Sequence, residues 1–441
     1  MNSFAPAMNL AQPAIVPTAG EEMYRLIERL YPICRSLTGA GVRQTLEIVQ
    51  QQIPLMIRNV PSDTQVFDWT VPKEWNVRDA YIKNSKGERI VNFKESNLHV
   101  LGYSVPVRKK VSAAELKAHL FSLPEHPEWI PYRTSYYNEQ WGFCLRHNRL
   151  QELADGEYEI CIDSSLENGH LNYGEYFLPG QTDAEILIST HICHPSLAND
   201  NLAGIVLATF LAKYLQSKEG RYSYRFLFTP GTIGSITWLS LNEQKVSNIK
   251  HGMILACVGD PGKIHYKSSR RGSAEIDRAV AQVLKDSGAP HQLVPFSPYG
   301  YDERQFCSPG FNLPVGCFMR TPHGQYPEYH TSADNLELVT PAALADSFEK
   351  CLSVFHLLEN NHRYVNQNPK CEPQLGKRGL YGSIGGDAHG KANELAMLWV
   401  LNLSDGENSL LDIAEKSHLS FATLNQAASR LLEQGLLTIG R

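Results

Sequence analysis

"STHICHPSLANDN", residues 189–201, lies between the apolar run "EILI" at 185–188 and the longer run "LAGIVLATFLAKYL" at 202–215. The first run has the length of a strand buried on both faces, and the second is long enough to be a helix. A strand should therefore end near His191 and a helix begin near Asp200. The loop between them carries two histidines, a cysteine and an aspartate. In an open α/β sheet, ligands bind in the crevice beyond the carboxyl ends of the strands. An imidazole at the strand end and a carboxylate at the helix start would face that crevice together. Such nitrogen and oxygen donors suit a divalent ion such as zinc. The plainer alternative is that Asp200 caps its helix.

Working outward, residues 157–320 alternate between the two patterns: "EYEICI", "EILIST", a helix at 201–217, "YRFLFT", "GMILACV", a helix around 276–286, "QLVPF" and "LPVGCFM". The expected fold is α/β, with a mostly parallel central sheet and helices on both faces. Two helices are expected within 21–55, the second with Val42, Leu46, Val49 and Ile53 on one face. Short alternating runs from 64 to 110, with "NSKGE" as a turn, read as a small β unit inserted over 65–122. The main domain would then comprise 20–64 and 123–364. It would close with the helix "PAALADSFEKCLSVFHLLEN", which begins at Pro341 after a Thr cap. The Gly/Pro/Asn-rich stretch 365–390 reads as a linker. Residues 391–441 show two short amphipathic helices and a terminal strand, the pattern of a winged helix.

Composition excludes several function classes. With 41 basic and 46 acidic side chains the net charge is -5, so the chain as a whole is no electrostatic binder of nucleic acid or anionic lipid. From 409 onward, three basic residues (Lys416, Arg430, Arg441) face three acidic ones (Asp412, Glu415, Glu433), so nucleic-acid binding by the winged helix is not expected. Apolar runs stop well short of the roughly 20 residues that span a bilayer. Nine scattered cysteines and a Pro/Ala-rich start without an export-signal pattern predict reduced thiols in the cytoplasm.

Two later segments strengthen the metal reading. "YGYDERQFCSPG" places Asp302 and Glu303 after the strand-like "QLVPF", and "PHGQYPEYHTSADNL" places His330 in a polar, aromatic loop before the closing helix. His191, Asp200, Asp302 and His330 would then meet at one crevice, as in a zinc hydrolase. In this order, "THICHPSLANDNLAG", "YDERQF" and "YHTSADNL" resemble the H-x-D, D-N-x-x-G, S-D-x-x-x-F and H-T-x-x-D motifs of the co-catalytic zinc aminopeptidases. The whole layout over about 20–441 is similar to aminopeptidase-like proteins found with bacterial polysaccharide-biosynthesis genes. The resemblance implies that His191, Asp200 and Asp302 hold one zinc ion, with Asp200 bridging towards a second ion at His330.

One motif departs from that pattern. Where the aminopeptidases carry Glu-Glu after the strand matching "RFLFT", this chain has Gly231 and Thr232, and Cys193 replaces the Asp of H-x-D. The missing Glu pair removes both a general base and a ligand. Glu303 is the nearest substitute base in sequence, with His194 and Glu328 behind it. Arg133, Tyr136, Tyr137 and the pair Arg270 and Arg271 could rim a pocket for a carboxylate or a sugar. The expected activity is hydrolysis of an amide in a small peptide, aminoacyl or sugar-linked substrate, with one zinc ion or two. The alternative is a catalytically silent scaffold that uses the winged helix to bind another protein. The β insert could wall the crevice or join copies of the chain into a homo-oligomer.

Overall fold

The structure is a computed structural model that describes residues 18–380 and 388–440. The Pro/Ala-rich leader and residues 381–387 of the expected linker lie outside the described residues.

Among the described residues, eight strands form the central sheet. Their order is Met56–Pro61, His170–Leu178, Ser223–Thr229, Glu185–His191, Ile249–Leu255, Val315–Met319, Ile264–Lys267, His291–Val294. The four strands from Ser223–Thr229 to Val315–Met319 run parallel, and antiparallel neighbours flank them on each side. Glu185–His191 and Ser223–Thr229 are buried at every position, which is why they read as continuous apolar runs and not as alternation.

The helix Ala203–Leu215 follows the first of these strands, and 11 of its 13 residues are buried. It lies between the sheet and the helices Ala19–Leu30 and Pro341–Asn360, so it is apolar all round. Pro341–Asn360 starts as expected, with the Thr340 hydroxyl accepting the Ala343 N–H and proline in the first turn. The opposite face of the sheet is covered by Ile233–Asn242 and by a second sheet. Trp238, Leu187, Leu227 and Ile254 share one apolar core there with Val66, Trp75 and Ile160.

The second sheet is antiparallel, in the order Arg89–Asn92, Glu74–Lys83, Glu157–Glu167, Val107–Ser112. The "NSKGE" turn forms, with Asn84 N–H donating to Glu88 O at 3.0 Å and Gly87 at φ +83°. The strand containing "EYEICI" belongs to this sheet and not to the central one. Its partners, residues 74–83 and 107–112, lie far back in the chain, and periodicity says nothing about such pairing.

The C-terminal module contains the helices Ala388–Leu403, Leu410–Ser417 and Phe421–Glu433 with a three-stranded sheet of Arg363–Asn366, Asp405–Ser409 and Leu437–Ile439. The first of those strands lies before the linker, so the chain enters this module earlier than 391. Ser409 and Ser420 cap the second and third helices through the N–H groups of Asp412 and Thr423. The module is docked on the helix Glu275–Asp286. Arg278 bonds Asp412 and Glu415, and the Asp286 carboxylate accepts the Phe421 N–H at 2.8 Å.

Candidate metal centre

His191 ends its strand at the centre of the sheet, where Ile192 N–H still bonds Thr229 O at 3.0 Å. The loop that follows is pinned from below by Arg35, which is only 2% exposed. Its guanidinium donates to His194 O at 2.8 Å, Pro195 O at 3.0 Å and Leu30 O at 2.8 Å. The planar fork of an arginine satisfies several carbonyls at once and so fixes the direction of His194.

Asp200 is held from its backbone. The Asp334 carboxylate accepts N–H bonds from Asn199 at 2.6 Å and from Asp200 at 3.0 Å. Burial pushes the Asp334 carboxyl up to about 8 against those bonds. Asn201 ties the same turn to the strand end through Thr190 Oγ1 at 2.7 Å. The peptides Asp200–Asn201 and Gly231–Thr232 are both cis.

The Asp200 side chain is fully buried and faces three imidazoles. His191 Nε2 lies 2.8 Å from Oδ1, while His330 Nε2 and His194 Nδ1 lie 2.9 Å and 3.3 Å from Oδ2. Yet Asp200 Oδ2 and His330 Nε2 have no hydrogen bond of acceptable geometry. Burial pushes the Asp200 carboxyl up, but His194, His191 and His330 outweigh it and hold it well below the usual range. Donor atoms of His191, His194 and Asp200 fall within 4.8 Å of one another. His191 Nε2 and Asp200 Oδ1 are hydrogen-bonded, but converging nitrogen and carboxylate donors with one carboxylate oxygen left unbonded fit a divalent metal.

Aromatic rings set these imidazoles. Tyr301 lies flat on His191 with centroids 4.8 Å apart, and Tyr329 lies flat on His330 at 3.9 Å. Tyr132 stands edge-on to both His194 and His330 at 5.1 Å. His194 enters the donor set directly, although the sequence placed it behind Glu303. These tyrosines were legible only as members of the aromatic loops "PYRTSYY", "YGYDERQF" and "PHGQYPEYHTSADNL".

Asp302 is not among the converging donors. It lines the same pocket, fully buried, with Oδ1 accepting the Ser235 hydroxyl at 2.9 Å and Oδ2 unbonded. Burial pushes its carboxyl up to about 7 against that hydrogen bond. A Cβ on Gly231 would come within 3.2 Å of the His191 Cβ and 3.6 Å of both Asp302 oxygens, so the side chain missing at 231 lies beside this carboxylate.

Glu303 is turned away from the pocket. Fully buried, it accepts from Lys267 Nζ at 2.6 Å, and Lys267 also donates to Tyr299 O at 2.7 Å. Glu303, the base expected from the sequence, is thus ion-paired with Lys267 through Oε1, while its Oε2 is buried without a hydrogen bond.

The expected rim residues separate. Tyr136 is 39% exposed and does not line the pocket, although burial of its phenol pushes that group up. Tyr137 instead donates to Thr70 O at 2.9 Å and reaches the β insert. Arg271 donates to Asn312 O at 2.8 Å, and neither it nor the exposed Arg133 lines the pocket. The pocket wall includes Arg304 and His323, which the sequence reading did not single out.

A family model described as a domain of unknown function, DUF4910, matches residues 24–361. The chain belongs to this family. A winged helix-turn-helix model matches 362–439, the module that begins at the strand Arg363–Asn366. A Clostridium acetobutylicum relative, named provisionally as a polysaccharide biosynthesis protein with an aminopeptidase-like domain, is 55% identical over 420 residues, 95% of this chain and 96% of its own. A crystal structure of a C. acetobutylicum protein, named provisionally as a peptidase, superposes with a TM-score of 0.92 at 53% identity, covering 96% of this chain and 98% of that one.

The fold of this DUF4910 member is also that of the zinc aminopeptidases. The Bacillus subtilis zinc aminopeptidase BSAP matches with a TM-score of 0.58 at 11% identity, over 78% of this chain and 95% of BSAP. A Shewanella amazonensis M28 peptidase precursor gives 0.55 at 12% identity, over 78% and 95%. Among the described residues, no helix is long and apolar enough to cross a membrane.

Proposed function

We propose that this protein is a zinc-dependent amidohydrolase that cleaves an amide in a small peptide, aminoacyl or sugar-linked substrate. The observation that supports this is the convergence of His191, His194 and His330 on the buried Asp200, whose Oδ2 has no hydrogen bond although His330 Nε2 lies 2.9 Å away. Those four residues would hold the ion. When bound, zinc polarises a carbonyl and lowers the pKa of water near it.

The chain's own groups supply the rest. Asp302, with one free buried oxygen in the pocket, takes and returns a proton, the role that the missing Glu cannot fill at Gly231. Ser235 holds Asp302 in place, and Tyr301 and Tyr329 keep the imidazole planes fixed. The name of the C. acetobutylicum relative supports a role in polysaccharide biosynthesis. All nine cysteines are free thiols, which supports a cytoplasmic setting.

The test is elemental mass spectrometry on protein purified without added metal. One or two zinc ions per chain is the expected result, and no uptake even after zinc is added overturns the reading. In that case the silent scaffold takes its place, which Gly231 and Thr232 already favour.

Docking of the winged helix argues against a nucleic-acid role. In helix-turn-helix proteins the start of the second helix contacts base edges. Here the start of Phe421–Glu433 is occupied by Asp286, and Phe421 is 3% exposed. The module serves as a brace on the helix Glu275–Asp286. The full chain should not retard duplex DNA at physiological salt in a gel-shift assay, and a salt-sensitive shift would contradict this.

A further inference from the structure

Two nitrogens in the pocket wall have no assigned partner. Arg304 lines the pocket beside Asp302, and its Nε is buried without a hydrogen bond. Among the described residues it forms neither an ion pair nor a side-chain hydrogen bond. Of the two neighbouring carboxylates, Glu303 is turned onto Lys267 at 2.6 Å, and Asp302 feels the Arg304 charge without hydrogen-bonding it. His323 lines the same pocket, with Nδ1 likewise buried and unbonded and its ring edge-on to Tyr301 at 4.7 Å.

A guanidinium stays charged in a protein and presents its donors in a planar fork that matches a carboxylate. A buried donor without an acceptor is costly, so such a group in a pocket wall is set for a ligand that brings one. The cavity measures about 160 Å³. That is below the roughly 300–1,000 Å³ of sites for drug-sized ligands, so it has room for one small group beside the donor cluster.

We propose that the substrate amide carries a carboxylate, received by Arg304 with the His323 N–H, so that the protein acts on an N-acylated amino acid or similar acid and not on a free-amine peptide end. This rests on the amidohydrolase reading above and adds its substrate class.

The test uses two probes that share a metal-binding end. Succinic monohydroxamate ends in a carboxylate, and its amide counterpart ends in a neutral carboxamide. Calorimetry on the zinc-loaded full chain gives both dissociation constants for the native protein, Arg304→Gln and Arg304→Lys. The native protein should bind the acid about 10–100-fold more tightly than the amide, as a charge-assisted pair implies. Arg304→Gln should bring the two probes level by weakening only the acid, and Arg304→Lys should keep part of the preference.

Equal affinities in the native protein, an unchanged ratio in an Arg304→Gln variant with the native melting curve, or no binding of either probe overturns the proposal. Metal content is measured on the same preparations. Loss of metal in the native protein counts against the amidohydrolase reading, whereas a flat acid-to-amide ratio in metal-loaded protein counts only against the role of Arg304.

Discussion

Asp200→Asn should lower the affinity for zinc by more than about 100-fold, beyond the 10–100-fold typical of losing a residue that merely orients a ligand. The reason is geometric. Asp200 is the one side chain that all three imidazoles approach, at 2.8, 2.9 and 3.3 Å. A carboxamide keeps the shape but offers one neutral oxygen, and its NH2 group would face imidazole nitrogens. His194→Ala should cause a comparable loss, because a His194 donor atom lies within 4.8 Å of those of His191 and Asp200. Asp334→Asn, which acts only through the backbone of Asn199 and Asp200, should fall within the 10–100-fold range. Competition with a chromophoric chelator reads all three values. Affinities that stay native in Asp200→Asn and His194→Ala would mean that the cluster does not hold the ion.

His191 and Asp200 were legible because each stands at a change of hydrophobic period, from a continuous run to a polar loop and from that loop to a helix. His330 was legible from its place in a polar, aromatic loop before the closing helix, whereas Asp334, four residues on, was not singled out. The role of His194 was not legible in that way. Its direction is set by Arg35, 159 residues earlier, which bonds the carbonyls of His194 and Pro195. No local pattern encodes that contact. The same limit applies to the strand Glu157–Glu167, whose apolar alternation marks a strand while its sheet is chosen by partners at 74–83 and 107–112. Asp302 and Glu303 show it at the scale of one residue. Successive side chains at the start of a helix point about 100° apart, so one lines the pocket and the next enters the core.

That divergence gives the second large effect. Asp302→Asn should lower the hydrolytic rate by about 10²–10⁴-fold, the usual contribution of a general base, with metal content unchanged. The carboxamide keeps the contact with Ser235 at Oδ1 but cannot take a proton. Glu303→Gln should do the reverse. It removes the charge opposite Lys267, a buried pair 2.6 Å apart, and leaves that ammonium group uncompensated. Breaking one side of such a pair costs about 3–5 kcal/mol. Its denaturation midpoint should therefore drop sharply, while the rate per folded molecule stays close to native. Both variants can be read on one panel of N-acyl amino acids and aminoacyl amides, with chemical denaturation run in parallel. Had Glu303 been the base, as its place in the sequence suggested, the kinetic loss would fall on Glu303→Gln instead. The base is proposed at Asp302 because that residue lines the pocket beside Gly231 while Glu303 is paired with Lys267.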